Sequence, residues 1–268
     1  MKRSASTAKL WAICRRLETA DPRFVEIESK RRVLPEQAKA LHKHLLKIKG
    51  VSHDKRVVFF DQFIDTPNRR LLKAGASLRL RYKGDGSNVY LQYKGPGFRR
   101  DGLLYRSEFS SERLDHIVRE ESHHDGVHFS DISVRKILAK NVHPEMAAAL
   151  KRHLGAATVG QLTTAPILCS YQKDKFIVDL GSAFLEPSLD RIFAFHVNSR
   201  GLHSASTFWE YENEIKTEGE GLAAKLDQID ELLAFDRRLS RRFDLKPERL
   251  DKYHRCASYF LPPPRPRR

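Results

Sequence analysis

The sequence predicts an α+β fold. Antiparallel strands close into a barrel with their charged faces inward, flanked by helices and interrupted by a helical insertion. Three observations predict it. Segments in which charged and apolar residues alternate recur along the chain, the period-2 signature of strands. Their polar positions are almost all full charges, with few Ser or Thr. Those charges are also sorted, with acids on the first, fifth and last strands and bases on the middle ones. A solvated sheet face has no reason to sort its charges. A closed lumen collects both signs where bound ions neutralise them.

Residues 1–22 read as a basic lead-in, poorly ordered or briefly helical. Residues 24–33 alternate and form the first strand. Pro35 opens a helix to about residue 49, with Leu41, Leu45 and Ile48 at helical spacing. Residues 55–64 are β-branched and aromatic, a second strand. Thr66-Pro67-Asn68 is a turn before a short segment that Gly75 ends. Residues 76–83 and 89–94 form a hairpin about Gly84-Asp85-Gly86-Ser87-Asn88, and Gly95-Pro96-Gly97 breaks its second strand. Residues 103–109 are the fifth strand.

Alternation then stops. Residues 110–164 carry helical patches such as 132–139 and 144–154, the expected insertion. Strands resume at 166–178, 184–195 and 207–216, followed by a helix over 221–233. Residues 257–268 are a Pro/Arg-rich tail of polyproline type.

The 268 residues carry 49 Lys+Arg against 34 Asp+Glu, a net charge of +15. A chain this basic is expected to meet anions: nucleic acid, an anionic surface or a phosphorylated molecule. No stretch approaches the ~18 apolar residues of a membrane span. Cys14, Cys169 and Cys256 make neither a disulfide framework nor a CxxC metal site, so the expected setting is a reducing cytoplasm. The twelve histidines show no HExxH spacing, and His123-His124 read as loop residues.

Residues two apart in a strand share a face. Glu26, Glu28, Lys30 and Arg32 therefore face one way, and Val25, Ile27 and Val33 the other. Arg79 and Arg81 share a face opposite Leu78, Leu80 and Tyr82, and Lys94 opposes Leu91 and Tyr93. Arg106 and Glu108 oppose Tyr105 and Phe109. Lys173 pairs with Lys175, and Glu210, Glu212 and Glu214 line the last strand. Carboxylates bundled in this way are the oxygen donors Mg2+ or Mn2+ prefers, and facing Lys and Arg hold phosphate oxygens.

Glu26-Ile27-Glu28-Ser29-Lys30 resembles the ExExK signature of the CYTH superfamily, the triphosphate tunnel metalloenzymes. The motifs that follow keep the family's order. They are Asp65-Thr66-Pro67, Leu78-Arg79-Leu80-Arg81, Tyr93-Lys94-Gly95-Pro96-Gly97, Arg106-Ser107-Glu108, Glu186 to Asp190 as ExxxD, Glu212-Asn213-Glu214, and Asp251-Lys252-Tyr253 at the closing SKY element.

The resemblance implies an eight-stranded antiparallel barrel over residues 23–256, a tunnel for a triphosphate group, and Mg2+ or Mn2+. It implies metal-side carboxylates at Glu26, Glu28, Asp190, Glu212 and Glu214. Phosphate contacts fall to Lys30, Arg79, Arg81, Lys94, Arg106, Lys173 and Lys252. Glu28 and Lys30 take the catalytic roles, and Glu108 and Lys175 support them. Glu186 and Glu210 are expected outside this set.

The pattern departs at Val25, where class IV adenylate cyclases often carry histidine. It departs again at Lys173 and Lys175, where arginine is frequent, and at Pro187, which implies a bulge or an edge. The expected function is metal-dependent hydrolysis of a phosphoanhydride bond in a triphosphate. The alternatives are a class IV cyclase or a non-catalytic polyphosphate or RNA binder. Nucleic acid is a weaker expectation, from the tail and from Arg237 to Arg242, and no membrane partner is expected.

Overall fold

The computed structural model describes residues 2–114, 137–139, 142–181, 183–198, 201–215 and 222–261. The carboxyl-terminal half of the tail, the first part of the 132–139 patch and His123-His124 lie outside these residues.

The chain opens with helix α1 (Lys2–Arg16), which sets Leu10 and Cys14 in the core together with the following Leu17. A 3-10 turn capped by the Asp21 side chain takes Phe24, so the first strand, β1, starts one residue later (Val25–Val33). Then come α2 (Pro35–Leu45), β2 (Val51–Asp65), α3 (Arg70–Ala74), β3 (Ser77–Lys83), β4 (Tyr90–Lys94), β5 (Phe98–Arg100) and β6 (Leu103–Ser110). The described part of the expected insertion holds α4 (Pro144–Leu154) and α5 (Ala156–Val159). Beyond it lie β7 (Thr163–Asp179), β8 (Phe184–Asn198), β9 (Gly201–Ile215), α6 (Leu222–Asp227), α7 (Ile229–Phe243), β10 (Lys246–Pro247) and α8 (Lys252–Phe260).

Eight strands close on themselves in the order β1-β9-β8-β7-β2-β3-β4-β6, every pairing antiparallel. β1 is the closing strand. Its first half pairs with β6, Glu26 opposite Arg106, and its second half with β9, Lys30 opposite Glu212. The short β5 and β10 attach outside the barrel, on β6 and β1. Gly97 is required where the chain leaves β4 to run back along β6, because a Cβ there would stand 2.7 Å from the Tyr105 carbonyl oxygen.

Over the acidic and basic half of the barrel the alternation sends apolar side chains outward, under helices, and charges into the lumen. Val25, Ile27, Tyr105 and Tyr211 pack beneath α1, α2 and α7. Leu78, Leu80, Tyr82, Leu91 and Tyr93 pack beneath α4, through Met146, Ala149 and Leu150. The described part of the insertion thus covers an outer wall of the barrel. Phe63, Tyr171, Ile192 and Phe208 lie instead on the inward strand faces and form a third cluster with α8, through Tyr253 and Cys256, which fills one end of the barrel interior. Burying these faces, at roughly 25 cal/mol per Å2, is what favours the closed form over an open sheet.

Several boundaries differ from the alternation reading. β2 begins at Val51, because its polar first residues pair with β7, Val51 opposite Val178. The helix expected over 221–233 is two helices, and the second runs through the arginine stretch to Phe243. Arg237, Arg238, Arg241 and Arg242 form its exposed face.

Candidate active site in the barrel lumen

The lumen is a cavity of about 300 Å3. Its walls carry Glu26, Glu28, Lys30, Arg79, Arg81, Lys94, Arg106, Lys173, Glu212, Glu214 and Lys252, together with Glu108 and Lys175. The structure therefore brings together every sequence-predicted site residue except Asp190. That residue shares the inward face with Ser188 but is fully buried beneath Lys252, where its Oδ2 meets Lys252 Nζ at 3.0 Å and Lys173 Nζ at 3.6 Å. Glu186 lines the wall as well, 3.5 Å from Lys175.

Register sets the chemistry of the rows. Directly opposed residues on neighbouring strands present side chains to the same face. Glu28 on β1 opposes Glu214 on β9, which opposes Glu186 on β8, making one row of three carboxylates. In the next row Lys30 opposes Glu212, which opposes Ser188. Beyond it Glu210 opposes Asp190, which opposes Lys173. Like charges directly opposed across strands destabilise one another, so the first row favours a cation beside it. Glu26, Glu108 and Glu214 each place a carboxylate oxygen within 4.8 Å of the others, at the same end of the lumen. Hard oxygen donors of this kind fit Mg2+ or Mn2+.

The cations fall into three groups. Lys94 and Arg106 belong to the acidic end. Lys94 Nζ donates to both oxygens of Glu26, at 2.7 and 3.0 Å, and lies 3.2 Å from Glu108. Arg106 donates to Glu26 at 2.5 Å and to Glu28 at 2.6 Å. Burial alone would raise the Glu26 pKa, but Arg106 and Lys94 outweigh it and hold the carboxyl well below its ordinary value.

Lys30, Lys173 and Lys252 converge on Glu212, at 2.9, 3.1 and 2.6 Å. Burial opposes charge on Glu212 too, and Lys252, Lys30 and Lys173 overcome it, leaving its pKa well below the ordinary carboxylate value. Burial works against charge on Lys30, yet Glu212 and Glu28 raise its pKa, so it stays an ammonium donor. The same contest, won by Glu212, Asp190 and Glu210, lifts Lys252 well above its ordinary value.

Arg79 and Arg81 form the third group, and their anchor is a residue that the motif reading missed. Asp61 on β2 is fully buried and accepts from Arg79 Nη1 at 2.8 Å, Arg81 Nε at 2.8 Å and Arg81 Nη2 at 2.9 Å. Gln92 on β4 accepts from Arg79 at 3.1 and 3.2 Å. These partners fix both guanidinium planes against the wall and leave further N–H groups for an anion.

Two other acids enter. Glu210 is fully buried beside Lys252 and Arg255, at 3.4 and 3.3 Å, and burial pushes its carboxyl above the ordinary value despite those cations. Asp251 lines the lumen, caps α8 through His254 N–H at 2.8 Å and holds the His254 ring at 2.7 Å. Burial disfavours its charge, and the hydrogen bond from His254 reverses that, so its carboxyl lies well below the ordinary value.

The turn and closing motifs turn out to be one joint. Asp65 accepts from the backbone N–H of Thr66, Leu71 and Leu72, at 2.7, 2.9 and 3.0 Å, and from the Tyr253 hydroxyl at 3.0 Å. The Tyr253 ring stacks on Phe63 at 4.5 Å. The joint seats α8 so that Lys252, its first residue, enters the lumen.

The CYTH domain matches residues 25–241 of the sequence. This chain belongs to the CYTH domain family. No curated protein matches it. Among solved structures, it resembles an adenylyl cyclase candidate from Hippeastrum that shows a dominant triphosphatase activity. That match has a TM-score of 0.59 at 18% identity and covers 89% of this chain and 98% of the other. An adenylate cyclase candidate from Bacillus halodurans matches with a TM-score of 0.50 at 17% identity, covering 88% and 97% of the two chains. At these identities the likeness is one of fold: the closed CYTH barrel with flanking helices. No helix among the described residues is long and apolar enough to cross a membrane.

Proposed function

We propose that this CYTH protein hydrolyses a phosphoanhydride bond of inorganic triphosphate or an organic triphosphate inside the barrel, with Mg2+ or Mn2+ at the acidic end. The observation that carries the reading is the Glu28–Glu214–Glu186 row facing a wall of fixed lysines and arginines across one lumen. A module that only bound anions would gain nothing from that row.

Glu26, Glu108 and Glu214 would hold the cation, with Glu28 beside them. When bound, a divalent cation neutralises phosphate oxygens and lowers the pKa of a bound water. Two of these carboxylates, Glu26 and Glu108, now engage Lys94 and Arg106, whose side chains would turn to phosphate once a cation took their place. Arg79 and Arg81, oriented by Asp61, bind the phosphate chain, Arg in bidentate fashion. Lys30, Lys173 and Lys252 share Glu212 and offer their remaining protons to phosphate oxygens.

Water attacks the terminal phosphorus in line, the bridging P–O bond breaks, and pyrophosphate leaves when inorganic triphosphate is the substrate. Glu28 takes the proton of the attacking water. Lys30, 3.5 Å from Glu28, holds charge on the phosphoryl group. Glu212 and Asp190 act through the lysines they hold. The three buried free thiols suit a reducing compartment such as the cytoplasm.

A panel of inorganic triphosphate, nucleoside triphosphates and other organic triphosphates tests the reading, scored for phosphate, pyrophosphate and cyclic nucleotide. Phosphate release that chelation abolishes and Mg2+ or Mn2+ restores is the expected result. Cyclic AMP from ATP with no phosphate release would make the protein a cyclase. Binding without turnover would make it a passive module.

A further inference from the structure

A second set of ligand-type side chains lies outside the barrel, away from the lumen. Asp174 points outward from β7, because its neighbours Lys173 and Lys175 point inward. Beside it stand His53 of β2 and His42 of α2. One ring nitrogen of each histidine and one oxygen of Asp174 lie within 4.8 Å of one another. None of these residues belongs to a motif of the CYTH fold described above.

Three features separate this group from an ordinary surface His–Asp contact. The His42 Nε2 atom is buried and makes no hydrogen bond. A buried ring nitrogen without a partner is costly unless something fills the place. Both rings are held in position, each with its centroid 5.4 Å from Phe176 at a steep angle. Asp174 is held in turn by Arg56, through Nε at 2.7 Å and Nη2 at 3.1 Å. A carboxylate fixed from behind by a hydrogen-bonding partner is the usual support of a metal ligand.

We propose that His42, His53 and Asp174 bind a transition-metal ion of the Zn2+ class, with a solvent-facing position left open. Two imidazoles and one carboxylate are a donor set for zinc-type ions, whereas the all-oxygen lumen suits Mg2+ or Mn2+. The two sites are therefore told apart by metal. Asp174 keeps lone pairs free, because Arg56 uses one on each oxygen. Its hydrogen bond with His53 Nε2 is long, at 3.4 Å, and easily given up. Burial, the first cause, holds the His42 pKa below its ordinary value and leaves the ring neutral at pH 7, the form that ligates. The His53 side chain is a third exposed, so small rotations can bring the three donors to bonding distance. Of the nearby cations, Arg56 is neutralised by Asp174, and Lys55 pairs with Asp54 at 3.2 Å. The bound ion would tie α2 to the strand whose other face carries Lys173 and Lys175.

The test is Zn2+ titration of the full chain against a chromophoric chelator, with Co2+ absorption as a second readout, in excess Mg2+ to occupy the lumen. Wild type should bind Zn2+ and give the visible bands of a low-coordinate Co2+ site. H53Q alters a partly exposed ring and should melt like wild type, yet weaken Zn2+ by at least about tenfold and lose the bands. E214Q, in the lumen, should leave both readouts unchanged. Failure of wild type to hold Zn2+ under excess Mg2+, indifference to H53Q, or loss of binding in E214Q would each overturn the proposal.

Discussion

Asp61→Asn is the sharpest perturbation of the lumen that leaves its shape alone. The carboxylate is fully buried and receives three charge-assisted hydrogen bonds from Arg79 and Arg81, at 2.8, 2.8 and 2.9 Å. Asparagine keeps the volume but removes the charge, and its amide nitrogen turns a donor toward a donor. Two guanidinium groups then share one wall without their counter-ion. Removing one partner of a buried pair costs roughly 3–5 kcal/mol. The Arg79 side chain is 7% exposed and Arg81 19%, so water in the lumen relieves part of the loss. The lower end, about 3 kcal/mol, is expected.

Urea unfolding of the metal-free and ligand-free protein measures it. The pH dependence supplies a second check. Burial acts to raise the Asp61 pKa, but Arg79 and Arg81 lower it below its ordinary value. Its stabilisation is therefore present above about pH 4 and lost as pH falls through the lowered native pKa. Asp61→Asn should flatten that part of the acid limb. Adding inorganic triphosphate should narrow the gap between variant and wild type, because the anion replaces the missing charge. A loss below about 1 kcal/mol, with the gap unmoved by triphosphate, would refute the idea that Asp61 is the anchor of both arginines.

Arg81→Ala should lower kcat/KM for triphosphate about a hundredfold, the equivalent of roughly 2–3 kcal/mol for a charged hydrogen-bonded contact, measured by phosphate release. Tyr253→Phe removes only the hydroxyl that reaches Asp65 at 3.0 Å and should cost about 1 kcal/mol in denaturant unfolding. His254 carries a raised pKa: burial lowers it, and the Asp251 hydrogen bond more than offsets that. Its contribution to stability is fully present below about pH 6.5 and lost as pH rises through the raised native value, so His254→Gln should remove that part of the alkaline decline in Tm.

Within a strand the sequence is an adequate guide, because period 2 alone places Glu26, Glu28 and Lys30 on one face. Across strands it is silent. That Glu28 meets Glu214 and Glu186 depends on how β1, β9 and β8 are staggered, which no single strand encodes. Asp61 escaped notice because Phe59 and Phe63 share its face, and the strand reads as apolar. A lone charge between aromatic residues was the available signal. Asp251 stands where the closing motif expects serine, and both residues cap helices well. The N-cap pattern ahead of Tyr253, Cys256 and Ala257 would have revealed α8. Glu210 shares a face with Glu212, yet its burial comes from α8, through Lys252 and Arg255. The polar start of β2, residues 51–54, is a strand only because β7 pairs with it. His42, His53 and Asp174 are far apart in sequence and meet only through α2, β2 and β7.

The central claim is that the CYTH lumen turns over a triphosphate by means of its carboxylate row. A 31P NMR time course of inorganic triphosphate with Mg2+ tests it most directly, run beside Glu28→Gln. The account predicts that the triphosphate signals give way to orthophosphate and pyrophosphate in equal amounts with wild type. Glu28→Gln, folded and still able to bind the anion, should leave those signals intact. Triphosphate that stays unchanged with wild type, or that Glu28→Gln consumes at the wild-type rate, would contradict the account.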